Sequence, residues 1–230
     1  MGLMDSPKIY IESQMKGLKA AAGKNKRLVR PFVTISREAG SYGTPLAKAL
    51  VEYLSQHERR KQCPWTVFDK ELLDRVLEDH HLSEEFRSLF AESTVSELED
   101  ILKDLISLYP SQHILARRMS ETILNLAEIG YAVIVGRGGN VITSRLSGGV
   151  HVRLIGSLNK RVAYTQEYLG LDKAKAKAYV LKKDKDRSDY VRKYFDKKID
   201  DPLMYDVLIN TDHVPLHEAV RMIAHMVLKY

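Results

Sequence analysis

The sequence predicts a three-layer α/β fold, with one parallel sheet covered by helices on both faces. Two observations carry that expectation. Short β-branched runs alternate with segments whose apolar residues recur at helical spacing, the pattern of strands crossing over through helices. One run, Tyr131-Ala132-Val133-Ile134-Val135, is almost continuously apolar, as a strand buried on both faces must be. At 230 residues, 44% hydrophobic and 29% charged, the chain can bury a substantial core, as one large domain or a core domain with a helical insertion. Residues 1–30 are expected to form an N-terminal helix and basic linker, and residues 31–230 a single domain.

Composition narrows the function classes. No apolar run approaches a membrane span, and the N-terminal stretch lacks the apolar core of a signal peptide, so no membrane association is expected. The single cysteine, Cys63, excludes an intramolecular disulfide and a cysteine-rich zinc site, which fits a reducing cytoplasm. A formal net charge of +6 suits a polyanionic partner. The positive charge gathers in residues 16–30 and 173–198, a tail and a phosphate-facing segment rather than one continuous nucleic-acid face. A nucleic-acid-binding reading also lacks a helix-turn-helix or aromatic-interleaved signature.

The first strand is predicted at Phe32-Val33-Thr34-Ile35-Ser36-Arg37. It enters a turn holding Gly40, Ser41 and Gly43, and a helix opens with Thr44 suited to the N-cap and Pro45 to the first helical position. Strand, glycine turn and helix N-terminus build an anion cradle, because backbone N–H groups and the helix dipole converge there. Several N–H groups from residues 39–44 are expected to face one concavity. Read with Gly40 as the second glycine of the consensus G-x-x-x-x-G-K-[ST] and Thr44 as the magnesium-holding hydroxyl, Arg37 replaces the first glycine and Gly43 the lysine. The same stretch also reads as a plain tight turn.

Trp65-Thr66-Val67-Phe68 is the second strand, and Asp69 both caps the next helix and stands at a strand's carboxyl end, where open α/β sheets bind ligands. Helical periodicity then dominates to residue 129. Thr94-Val95-Ser96-Glu97 reads as a capping box, Pro110-Ser111 as a break and Gly130 as a stop. The apolar stripes of residues 83–108 serve a core or a homodimer face. The strand at 131–135 empties into Gly136-Arg137-Gly138-Gly139, which can present the Arg137 guanidinium to phosphate or a base. Val150-His151-Val152-Arg153-Leu154-Ile155 is a fourth strand, followed by a helix capped by Ser157. A charged helical segment from Asp172 carries Asp184, Arg187 and Arg192, and composition alone makes it a solvated face. Tyr205-Asp206-Val207-Leu208-Ile209-Asn210 is the last strand, before a helix from Pro215 to Leu228.

In order, the blocks Ile35-Ser36-Arg37-Glu38-Ala39-Gly40-Ser41-Tyr42-Gly43, Phe68-Asp69-Lys70-Glu71-Leu72-Leu73, Val135-Gly136-Arg137-Gly138-Gly139, Asp184-Lys185-Asp186-Arg187 and Tyr205-Asp206-Val207-Leu208-Ile209-Asn210-Thr211 resemble the cytidylate kinase-like family of P-loop nucleoside monophosphate kinases. The resemblance implies a P-loop kinase-like core, a helical monophosphate-binding insert at about residues 70–129 and an arginine-bearing lid at about 172–200. It implies ATP and magnesium as cofactors and phosphoryl transfer to a cytidylate-like nucleoside monophosphate or related small acceptor. Gly40, Ser41, Gly43 and Thr44 would cradle the donor phosphates, with Thr44 contacting the metal. Asp69, Arg137 and Asp184 would bind the acceptor, and Arg37, Arg187 and Arg192 would supply cations. The family's aspartate beside the acceptor arginine is Gly138 here, and Val180 stands where an earlier lid arginine would be. A lysine-free loop also fits a nucleotide-binding regulatory module, with residues 83–108 as its partner surface.

Overall fold

A computed structural model describes residues 10, 30–57, 64–78, 92–107 and 114–229. Five strands, β1 (Phe32–Arg37), β2 (Thr66–Phe68), β3 (Ala132–Val135), β4 (Gly149–Ile155) and β5 (Val207–Asn210), form one sheet in the order β2-β3-β1-β4-β5. Every pairing is parallel, with Phe32 opposite both Ala132 and Gly149. The helices are α1 (Gly43–His57), α2 (Lys70–Glu78), α3 (Glu92–Ser107), α4 (Ile114–Ile129), the short α5 (Gly139–Ile142), α6 (Leu158–Leu169), α7 (Lys173–Phe195) and α8 (Leu216–Val227).

Alternation along the central strands creates the three layers. Val33, Ile35, Val133 and Val135 pack on one face against Leu46 and Leu50 of α1 and Val220 and Ile223 of α8. Phe32, Ala132 and Ile134 pack on the other against Phe68, Leu73 and the α3–α4 residues Leu98, Leu102, Ile123 and Leu124. A smaller cluster, Ala39, Val162, Ala176 and Val180, joins the turn after β1 to α6 and α7.

Local signals hold with informative exceptions. Asp69 caps α2, its Oδ1 accepting the Leu72 N–H at 3.0 Å. Thr94 lies inside α3, which already runs from Glu92, so the Thr94–Glu97 pair is not the cap. α1 starts at Gly43, one residue before the expected cap. Ser157 stands at the N-cap of α6, but its side chain makes no capping bond. Instead its N–H donates to the Asp212 carboxylate at 3.1 Å. Tyr131 falls just outside β3, at φ 55°, and its N–H donates to the Pro31 carbonyl at 2.6 Å. The expected helix and linker of residues 1–30, with the exception of Tyr10 and Arg30, lie outside the described residues, as do Cys63, residues 83–91 and the Pro110 break. Tyr10 is buried rather than peripheral. Its hydroxyl donates to the Gly130 carbonyl, and its ring meets Phe68 edge-on at 5.2 Å.

Candidate functional site

Because every strand is parallel, all carboxyl ends lie on one edge of the sheet, and the loops leaving β1, β2 and β3 meet there. Two cavities border that edge. The larger, about 590 Å³, is lined by Arg37, Asp69, Arg137 and Arg187, with Ser36, Gly136 and Tyr190 among its walls. The smaller, about 140 Å³, lies over the turn after β1 and is lined by Gly40, Tyr42, Gly43, Thr44, Tyr164 and Tyr168. Arg37, Thr44 and Arg187 border both.

The turn is fixed from beneath. Glu38 continues the β1–β4 pairing, its N–H donating to the Leu154 carbonyl at 3.0 Å. Arg161 of α6, buried, lies 3.3 Å from the Glu38 carboxylate and donates to the Ala39 carbonyl at 3.0 Å and to Asp184 at 2.6 Å. The other Asp184 oxygen accepts the Ala39 N–H at 2.6 Å. Gly40 holds φ +80°, and an added Cβ would lie 2.4 Å from the Arg161 carbonyl oxygen, so only glycine fits.

These contacts take up part of the expected cradle. The Ala39 N–H is engaged by Asp184, and the Ser41 N–H reaches back to the Glu38 carbonyl at 3.4 Å. The end nearest α1 keeps its first-turn donors, since the N–H groups of Gly43 and Thr44 have no intrahelical acceptor. Counted back from Thr44, the consensus spacing puts its second glycine on Tyr42, not Gly40. Tyr42 adopts φ 61°, the left-handed conformation a glycine would take freely.

Arg37 explains the two other departures together. Its side chain crosses over Gly43, where a Cβ would come within 2.8 Å of Arg37 Cγ. Its Nη1 presses on Gly136, where a Cβ would lie 2.1 Å away. A side chain at position 43 would have to share the space that Arg37 occupies. Among the described residues Arg37 forms no ion pair, and Glu38 is committed to Arg161 and to the Gly156 N–H at 2.9 Å. Burial first, then the Arg187 charge, pushes Arg37 down to about 9, with Arg137 and Arg153 adding to the effect and Asp69 opposing it. An anion in the cavity would relieve this crowding.

Arg187 donates to the Arg37 carbonyl at 3.1 Å, and its own pKa is lowered, mainly by burial, while Asp184 counters. Arg137 sits at φ 54° between Gly136 and Gly138, also left-handed. Its Nη2 donates to Asp74 at 3.3 Å, its guanidinium lies 5.6 Å over the Tyr190 ring, and its buried Nε has no hydrogen-bond partner. Asp69 lines the larger cavity while capping α2. Asp184 lines neither cavity and faces the turn instead. Arg192 is exposed and borders a separate hollow with Ser188, Lys197 and Lys198. Thus the fold gathers Arg37, Thr44, Asp69, Arg137 and Arg187, and leaves Arg192 outside.

Two buried arginines escape the motif reading. Arg153 of β4 donates to Ser36 Oγ at 2.8 Å and to Asp200 at 2.6 Å, and packs 5.8 Å from the centre of the Tyr205 ring. Arg161 organises the underside of the turn. A single arginine inside the apolar run Val150–Ile155 was the available signal, since a charge in a buried strand needs partners.

For magnesium, no cluster of three or more His, Cys, Asp or Glu side chains that could hold a metal occurs among the described residues. The donor set present, the Thr44 hydroxyl and the Asp69 carboxylate beside cationic walls, suits a metal that arrives with phosphate oxygens as its main ligands.

A crystal structure of an uncharacterized protein from Eubacterium ventriosum ATCC 27560 is similar, with a TM-score of 0.65 and 25% sequence identity, covering 87% of this chain and 99% of that one. No curated protein matches the chain. The family description that does match spans residues 32–213, from the start of β1 to beyond β5 and so through the loops that leave β1, β2, β3 and β4. The chain belongs to the cytidylate kinase-like family.

Proposed function

We propose that the protein is a nucleotide kinase that transfers a phosphoryl group from ATP, with magnesium, to a nucleoside monophosphate or a related small phosphorylated acceptor. The observation that carries this reading is Arg37. Its half-buried guanidinium lies between Gly43 and Gly136, at the border of both cavities, beside Arg187 and without an ion-paired carboxylate among the described residues.

Magnesium, when bound with ATP, would neutralise charge on the donor phosphates. The chain's own residues do the rest. The α1 N-terminus and Thr44 hold the donor phosphates beside the smaller cavity. Arg37 and Arg187 lie where the two cavities meet and would bear on the charge spread over the moving phosphoryl group. Arg137 and Asp69, across the larger cavity, would position the acceptor. A guanidinium supplies two parallel hydrogen bonds to phosphate, so Arg37 is a chemically sound replacement for the missing lysine.

The test is a transfer screen with ATP and magnesium across nucleoside monophosphates, with product detection, run beside Arg37→Ala and Arg37→Lys. Turnover with at least one acceptor is expected. Loss of one transition-state donor should lower it by about a hundredfold in Arg37→Ala, less in Arg37→Lys. If both variants turn over like the parent, Arg37 has no part in transfer. A second reading, binding without transfer, is favoured by the Ala39–Asp184 contact, which takes one loop donor out of use. ATP binding with no product from any acceptor would select it.

A further inference from the structure

The apolar packing of the sheet gives way to polar side chains beside the larger cavity. Ser36, near the carboxyl end of β1, stands opposite Arg153 of β4, and its Oγ accepts from Arg153 Nη1 at 2.8 Å. Arg153 is only 4% exposed. Its other arm donates to Asp200 at 2.6 Å, a carboxylate whose side chain is 79% exposed, and its guanidinium lies 5.8 Å from the centre of the Tyr205 ring. A buried charge whose carboxylate stands largely in water is only partly neutralised. Bracing the chain after α7 requires Asp200 alone, yet Arg153 also commits an arm to Ser36. Its charge bears on Arg37 and Arg187 as well, and helps to lower the pKa of both. Cations gathered in this way oppose one another until an anion joins them.

The hydrogen bonds of Ser36 leave one group over. A serine hydroxyl has one proton to give and lone pairs to accept with. Arg153 occupies the accepting side. The Tyr205 hydroxyl also has a single proton, and the Ile199 carbonyl takes it at 2.7 Å. Tyr205 Oη is then an acceptor for Ser36, but at 3.3 Å it stands beyond the ordinary range of an O–H···O bond. Among the described residues the Ser36 proton has no other acceptor. Ser36 is 9% exposed and borders the larger cavity. A hydroxyl this buried calls for an acceptor, and the open volume is where one can come from.

We infer that the Ser36 hydroxyl is a ligand contact that donates to a phosphoryl oxygen held in the larger cavity, and that Arg153 is the positioning residue that aims it. This rests on the reading of that cavity as a phosphate-binding acceptor site. Accepting from a guanidinium polarises the hydroxyl and strengthens the bond that it gives. The arginine fork, tied to Asp200 at its other arm, fixes the direction from which Ser36 accepts and so the direction left for its proton.

Calorimetry on the full chain tests this, with AMP, GMP, CMP, UMP and inorganic tripolyphosphate as probes. Ser36→Ala should weaken at least one of the probes that the parent binds by about tenfold, the scale of one hydrogen bond to a charged group. Arg153→Met should weaken the same probe to a similar degree, and Arg153→Lys, which keeps a donor for Ser36, by less. In a Ser36→Ala background Arg153→Met should add little, because the arginine then has nothing to aim. An arginine with only a structural role would weaken binding by the same factor with or without the Ser36 hydroxyl, and that result overturns the positioning role. Unchanged affinity for every probe in Ser36→Ala overturns the ligand contact while leaving the phosphate reading of the cavity in place. If the parent binds none of the probes, that reading fails and the role of Ser36 with it. Should Arg153→Met not fold, Ser36→Ala still decides the contact, and Arg153→Lys in both backgrounds decides the positioning.

Discussion

Arg37 sits in its place at a cost to the unliganded fold. A half-buried guanidinium beside Arg187, Arg137 and Arg153, with Asp69 as the opposing charge, is poorly solvated and repelled. Function-bearing groups are often kept in this destabilised condition. Arg37→Met should therefore raise the melting temperature of the unliganded protein by a few degrees, the shift that about 1 kcal/mol gives in a domain of this size. The parent should gain stability from tripolyphosphate and the variant should not. Differential scanning fluorimetry reads both, and a melting temperature that falls in Arg37→Met would mean the side chain chiefly braces the turn. The same residue shows why position-by-position motif reading misleads here. Arg37 and Gly43 look like two separate losses from a consensus, yet the first side chain fills the volume over the second.

At the scale of elements, the sheet was the most legible part. Runs of β-branched and aromatic residues marked all five strands, and the buried β3 declared itself by having no polar position from Ala132 to Val135. Element edges were less legible, as with Thr94 inside α3 and Tyr131 outside β3, because caps depend on which residue the tertiary packing turns first. Between β1 and β4 a polar pair replaces apolar packing: Thr34 Oγ1 and His151 Nδ1 are 2.8 Å apart. Burial lowers the His151 pKa below its ordinary 6.5, with Asp206 opposing. The unfolded chain therefore takes up this proton first as pH falls. His151's contribution to stability is complete above 6.5 and declines as pH drops from there toward the folded-state value. Urea unfolding should give a lower midpoint at about pH 5.5 than at about pH 8. His151→Asn should flatten that difference, and an equal difference in the variant would assign the dependence to other groups.

For the whole molecule, α7 matters most, because it links the outer face of the charged segment to the turn. Asp184 reaches the Ala39 N–H and Arg161, and Arg187 reaches the Arg37 carbonyl, so the helix clasps both halves of the site. If it closes over bound nucleotide, water exclusion and phosphate contact depend on the same few residues. Arg187→Ala should cut turnover by about a hundredfold while circular dichroism and melting temperature stay near the parent's. A matching fall in melting temperature would make the loss structural. Sequence alone settled the strand order along the chain, the parallel three-layer class, the glycine turn after β1 and the Asp69 cap. Those follow from side-chain periodicity and backbone preference, which act over a few neighbouring residues. Tertiary structure decided which charges meet. It joined Arg153 to Ser36 across 117 residues and Arg161 to Ala39 across 122, turned Asp184 toward the loop, and left Arg192 outside. Electrostatic pairing depends on distance and burial in the folded chain, and neither is a property of any local stretch of sequence.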